Sequence, residues 1–191
     1  IVSKRDVENR FDAESAQRLI RDGAAHLIGN PANAEVQLIA LGAYQLDEAI
    51  KAQQHLAELG KCACVTVVLE PGRLRIPRDA IEAEFVDDDV TVSTLFPSGL
   101  PRVIVTHTRP EPMLGILRRI DSGPAKTRAL GYISRGGTFD VPGMLFANRC
   151  TWAHTVDAAA TVAGWNREAL LDPAQRAALD GTGDPKDLLS P

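Results

Sequence analysis

Cysteine is scarce and odd in number: Cys62, Cys64 and Cys150 are the only three. Such a set does not build a disulfide framework, and it points to a reducing compartment, the cytoplasm. No apolar run approaches the ~18 residues of a membrane-spanning helix, and no charged-then-apolar leader opens the sequence, so no membrane partner is expected. Basic residues do not dominate: 21 Lys and Arg face 25 Asp and Glu, a formal charge of −4. That balance argues against a nucleic-acid partner, which calls for a basic face. Internal repeats and low-complexity tracts are absent. So are the spaced-glycine dinucleotide fingerprint, the phosphate loop with its Lys-Ser/Thr, and the Ser or Cys nucleophile elbow. The chain opens on Ile1 rather than Met, which leads us to expect part of a longer protein.

What is present is ordinary for a globular domain: 191 residues, 45% hydrophobic and 24% charged. A chain of this length buries roughly 70% of its unfolded surface and needs no staple. Residues 1–5 read as the end of a strand. Asp12 caps a helix whose apolar stripe (Leu19, Ile20, Ala24, Leu27) runs until Gly29-Asn30-Pro31 stops it. Short β-branched or apolar runs predict strands at 36–41, 64–69, 102–107 and 127–133, separated by helices at 46–59 and 112–120. A short helix is expected near 79–85. Residues 144–163 read as helix in two pieces, with Thr151 capping the second. Asp87-Asp88-Asp89 lacks the alternation and terminal Glu of a calcium loop and reads as a solvated turn. This alternation predicts an α/β fold: a three-layer α/β/α sandwich around a mostly parallel, mixed sheet of about five strands. The domain spans 12–163, after a linker at 1–11 and before a loosely packed, helical tail at 164–191.

Ligands of such sheets sit at the carboxyl ends of strands, so the loops there hold the candidates. Gly42-Ala43-Tyr44-Gln45 is a tight turn into a helix whose free amides can take an anion, or a plain connection. Arg73, Arg75 and Arg78 crowd one loop; they suit bidentate capture of phosphate or carboxylate, or they pair with Glu82, Glu84 or a neighbouring chain. His107 ends a strand and can act as acid or base, or as a satisfied structural histidine. Cys62-x-Cys64 places two thiols on one face, but no second Cys/His pair accompanies them, so they read as structural. The segment Gly131-Tyr132-Ile133-Ser134-Arg135-Gly136-Gly137-Thr138 is a donor-rich turn that binds an anion or sets the fold; Tyr132 and Arg135 are its candidates. No catalytic residue and no metal ligand is assigned.

Three stretches carry a family resemblance. Val2-x-Lys4, Glu14-x-Ala16 and Asp22-Gly23 form the first. Ala40-Leu41-Gly42-Ala43 with Glu48-Ala49 and the run at 56–60 form the second. Gly131-Tyr132, Gly136-Gly137-Thr138, Pro142, Met144, Asn148 and His154 form the third and most specific. Over about residues 1–163 the chain resembles the C-terminal domain of transketolase-like, thiamine-diphosphate-dependent enzymes, closest to phosphoketolases. It lacks their acidic pair before the second Gly and their Thr run after it, and Glu70-Pro71-Gly72-Arg73 has no counterpart there. That points to a divergent branch such as the one labelled xylulose 5-phosphate 3-epimerase. The resemblance implies a domain that supports a homodimer and borders a sugar-phosphate channel beside the preceding domains of its own chain. Thiamine diphosphate and magnesium then belong to the full-length enzyme, and none is expected on this chain, which is inactive alone. The C-terminal domain of a 2-oxo acid dehydrogenase, or a non-catalytic anion-binding module, are the alternatives.

Overall fold

In a computed structural model, residues 7–133 and 136–191 are described. The strand end expected at 1–5, and with it Val2 and Lys4, lies outside the described residues. The apolar runs become strands buried along their whole length: β2 (Val36–Leu41), β3 (Ala63–Val68) and β4 (Arg102–Thr106). Burial on both faces is what helix-covered parallel strands require. With β1 (Ala24–Ile28) and β5 (Thr127–Leu130), they form a five-stranded sheet of order β1-β3-β2-β4-β5. All neighbours run parallel except β1, which pairs antiparallel with β3. The expected mixed α/β sheet is thus present.

The alternation along each strand divides two cores. Val36, Leu38, Ala40, Val65, Val103 and Val105 pack under α2 (Ala43–Glu58) and α7 (Trp152–Ala163). Ile39, Leu41, Val68 and Ile104 face α4 (Asp89–Leu95) and α5 (Pro110–Ile116) on the other side. Helices on both faces make the three layers.

Four expectations need correction. The first helix, α1 (Ala13–Asp22), does not run to residue 28. Gly23 ends it at φ 65°, and its carbonyl accepts from the amides of Leu69 and Glu70 at 2.8 and 3.0 Å. The apolar residues that mimicked a helical stripe belong to β1. The strand expected through residue 133 ends at Leu130, where the chain leaves the sheet. The Asp87–Asp89 run is not a solvated turn. Asp88 caps α4 by accepting from the Thr91 amide at 2.7 Å, and Asp87 is buried against Arg73.

Finally, the segment after Gly164 is packed rather than loose. Leu170, Leu171, Ala178 of α8 (Pro173–Leu179) and Leu188 are all buried in the α2/α7 core. Trp152, fully buried, donates its indole N–H to the Leu188 carbonyl at 3.0 Å, and His55 reaches the Leu170 carbonyl at 2.7 Å. A buried Trp N–H is normally satisfied in this way. Glu48 of α2 accepts the Trp152 amide at 2.7 Å and Lys51 at 2.6 Å, which ties the two helices together.

One polar layer crosses the sheet near its amino end. Arg102, 2% exposed, donates Nε to Gln37 Oε1 at 3.2 Å and Nη1 to Ser122 Oγ at 2.7 Å, and it also reaches the Ile120 and Pro97 carbonyls. Gln37 in turn donates to Thr66 Oγ1 and the Leu95 carbonyl, both at 2.8 Å, and His26 Nδ1 meets the same Thr66 hydroxyl. Burial pulls the Arg102 guanidinium down to about 10.

Candidate functional site

The four parallel strands end on one edge, which brings Gly42, the loop after Val68, His107 and Gly131 to the same side of the sheet. After β2 the chain winds to β3 on one side, and later to β4 on the other, so a topological switch lies between the ends of β2 and β4. This is where open α/β sheets place a crevice.

His107 closes that switch. Its amide donates to the Leu41 carbonyl at 3.1 Å, and its Nδ1 lies 2.9 Å from the same oxygen. A carbonyl only accepts, so Nδ1 carries a proton in this contact. Gly42 makes the approach possible. It precedes α2 at φ 119°, and a Cβ there would lie 3.1 Å from His107 Nδ1 and run into the Gln45 side chain. The geometry therefore gives His107 a definite structural partner.

The arginine loop folds back on its own carboxylates. Arg73 donates through Nε and Nη2 to Asp87 Oδ1 at 3.0 and 2.8 Å. Arg75 donates to the Gly72 carbonyl at 2.8 Å and lies 3.7 Å from Glu82. Arg78 forks onto Glu82, whose carboxyl is held down at about 2, chiefly by that Arg78 side chain. The three arginines stand together at the end of β3, apart from Tyr132 beyond β5.

At the end of β5, Gly131 passes so close to the Thr108 carbonyl that a Cβ would overlap it, and would lie 2.8 Å from Thr106 Cγ2. The Tyr132 amide donates to that same Thr108 carbonyl at 2.9 Å. Tyr132 is 46% exposed. Gly136 and Gly137 take φ of 75° and 88°, the left-handed region that glycine enters without steric cost. Arg135 lies outside the described residues. A groove of about 530 Å³ opens here, lined by Arg109, Glu111, Tyr132, Ile133, Asn148 and Arg149 among others. Asn148 shapes its wall, accepting the Ile133 amide at 2.8 Å and donating to the Met144 carbonyl at 2.9 Å.

Arg109 and Arg149 are not picked out by the sequence reading. Arg109 lies two residues after His107, and nothing in a linear sequence marks Arg149 as taking φ 54°. His154, one helical turn into α7, shares a hydrogen bond with Thr151 Oγ1 at 2.7 Å. Burial, reinforced by the charge of Arg149, pushes it down to about 4. Cys64 and Cys150 are buried and pushed up to about 12 by that burial, so they behave as packing groups rather than nucleophiles. Among the described residues, no group of three or more His, Cys, Asp and Glu has the geometry of a metal site.

Two outcomes follow. Gly131→Ala should lower stability to urea by about 1–3 kcal/mol through overlap with backbone, and Val at both 136 and 137 by about 1–3 kcal/mol per site through strain, whereas Tyr132→Phe stays within about 0.5 kcal/mol of wild type. Wild-type stability of the glycine variants would mean that these turns are not conformationally demanding. For His154, the unfolded chain binds a proton below the ordinary value of 6.5 that the folded chain refuses until about 4. Stability should therefore fall with acid across that window, by up to about 3 kcal/mol, and His154→Gln should flatten the dependence. An equal acid loss in that variant would remove His154 as its source.

No protein-family model matches the chain, and a search of curated proteins finds no match. Among solved structures it is similar to a Pichia stipitis transketolase in complex with xylulose 5-phosphate, with TM-score 0.56 and 16% identity over 79% of this chain and 19% of that one. The Leishmania mexicana transketolase gives TM-score 0.56 and 16% identity over 77% of this chain and 19% of that one. The Campylobacter jejuni transketolase gives 0.51 and 13% over 72% and 18%. The chain spans about a fifth of the length of these enzymes, and at this identity the likeness is one of fold. It has a transketolase-like α/β fold.

Proposed function

We propose that this chain serves as the C-terminal domain of a thiamine-diphosphate-dependent ketose-phosphate enzyme, of the transketolase and phosphoketolase kind or of the branch labelled xylulose 5-phosphate 3-epimerase. Its part is to support a homodimer and border the substrate channel in the cytoplasm, while thiamine diphosphate and magnesium sit on other domains. The observation that carries this reading is the sheet itself. The chain that folds into this sheet, of order β1-β3-β2-β4-β5 with one antiparallel edge, matches the Pichia stipitis transketolase over 79% of its own length and 19% of that enzyme's.

The local chemistry supports a scaffolding role. The three loop arginines have intramolecular partners, and His107 is engaged in holding two strand ends. The Asp87–Asp89 carboxylates are committed within the chain: Asp87 to Arg73, Asp88 to the α4 cap and Asp89 to Arg119. Tyr132 and Ile133, just past β5, stand 46% and 41% exposed, apolar surface of the kind a neighbouring domain covers.

The test is calorimetric titration of thiamine diphosphate with magnesium, into this chain and into the native full-length polypeptide that contains it. The proposal expects no magnesium-dependent binding to the former, and saturable binding with turnover of a ketose phosphate by the latter. Saturable magnesium-dependent cofactor binding by this chain, or none by the native polypeptide, would overturn it.

A further inference from the structure

We propose that the groove at the end of β5 binds a phosphate group between the guanidinium groups of Arg109 and Arg149. This inference stands on the groove alone and does not depend on the reading above.

The arginines of this protein are, as a rule, spoken for. Arg10, Arg18, Arg21, Arg73, Arg75, Arg78, Arg119 and Arg167 pair with carboxylates, and Arg102, Arg128 and Arg176 donate to carbonyls. Among the described residues the exceptions are Arg109, Arg118 and Arg149, and two of these three line one groove. A single carboxylate, Glu111, shares that groove, and neither guanidinium is within ion-pair distance of it. Two arginines against one glutamate leave an uncompensated positive charge.

Arg149 also has an unusual backbone. At φ 54° it is the one non-glycine residue in the left-handed region among the described residues. That conformation is disfavoured for a residue with a Cβ, and it belongs to the position that ends a helix, where the turn enforces it. Here the surroundings do enforce it. The Arg149 amide donates to the Phe146 carbonyl at 2.9 Å and the Cys150 amide to the Leu145 carbonyl at 2.8 Å, while Asn148 is locked to Ile133 and Met144. The kink turns Arg149 out of the buried row formed by Asn148, Cys150 and Thr151, and leaves it exposed.

A phosphate matches this arrangement in charge and shape. Its dianion offsets two guanidinium charges, and each planar fork can present two N–H donors to its oxygens. At about 530 Å³ the groove admits a phosphate with a short carbon chain attached, and it falls within the range of small-molecule sites. The exposed Tyr132 ring forms one side for that chain.

The experiment is titration of the 191-residue chain, at low chloride, with inorganic phosphate and separately with glycerol 3-phosphate, followed by amide chemical shifts. The expected result is saturable change at residues 109–111, 131–133 and 148–150 with at least one of the two anions; saturation by both places the affinity in the phosphate itself, and saturation by the ester alone adds the carbon chain. Arg109→Gln and Arg149→Gln should each weaken binding about tenfold or more, as expected when a charge-assisted contact is lost. Arg118→Gln, which removes an equal charge from a different groove, should change it less than about twofold. Arg149→Gly removes guanidinium and backbone strain together, so loss of binding in this variant, with stability kept or raised, separates the site from folding. No saturable change with either anion, or an equal loss in Arg118→Gln, would overturn the proposal.

Discussion

The structure turns on a buried guanidinium, that of Arg102. Arg102 sits inside the central part of the sheet, and taking its charge out of solvent is expensive unless its donors are met. They are met by the ends of the surrounding connections: Pro97 before β4, Ile120 and Ser122 after α5, and Gln37 on the neighbouring strand β2. Gln37 passes the link to Leu95 at the end of α4 and to Thr66 on β3. One side chain thereby fixes where two crossovers return to the sheet. An apolar residue of similar size fills the space but leaves those carbonyls without partners.

With the amino end of the sheet closed in this way, the carboxyl edge is the part left open. Its loops are pinned individually rather than through a shared network. His107 holds β4 to β2, the Thr108 carbonyl takes the Tyr132 amide, and Asn148 takes that of Ile133. Among the described residues most arginines are neutralised or hydrogen-bonded within the chain, Arg109, Arg118 and Arg149 being exceptions.

Much of the fold was legible in the sequence. The runs at 36–41, 64–69 and 102–107 are β-branched or apolar without interruption, and helix α7 carries its cap, Thr151, in plain view. Where reading failed, two periodicities overlapped or a partner was distant. Leu19, Ile20, Ala24 and Leu27 satisfy a helical stripe, and only the turn at Gly23 reveals that the last two belong to a strand. Asp87 looks solvated until Arg73, fourteen residues earlier, closes on it. The tail looked loose because its anchors, Leu170 and Leu188, are isolated in a polar segment and are bound by His55 and Trp152 far back in the chain. The candidate site was half visible. His107, Tyr132 and the glycines lie where strand ends predict, whereas Arg149 owes its position to a backbone angle that no residue type announces.

The most direct measurement is urea denaturation of Arg102→Met. If the guanidinium holds the crossovers to the sheet, the variant loses about 3 kcal/mol or more, because Gln37 and the carbonyls of Pro97 and Ile120 are left buried without donors. Stability within about 0.5 kcal/mol of wild type would show that the sheet and its connections hold together without Arg102.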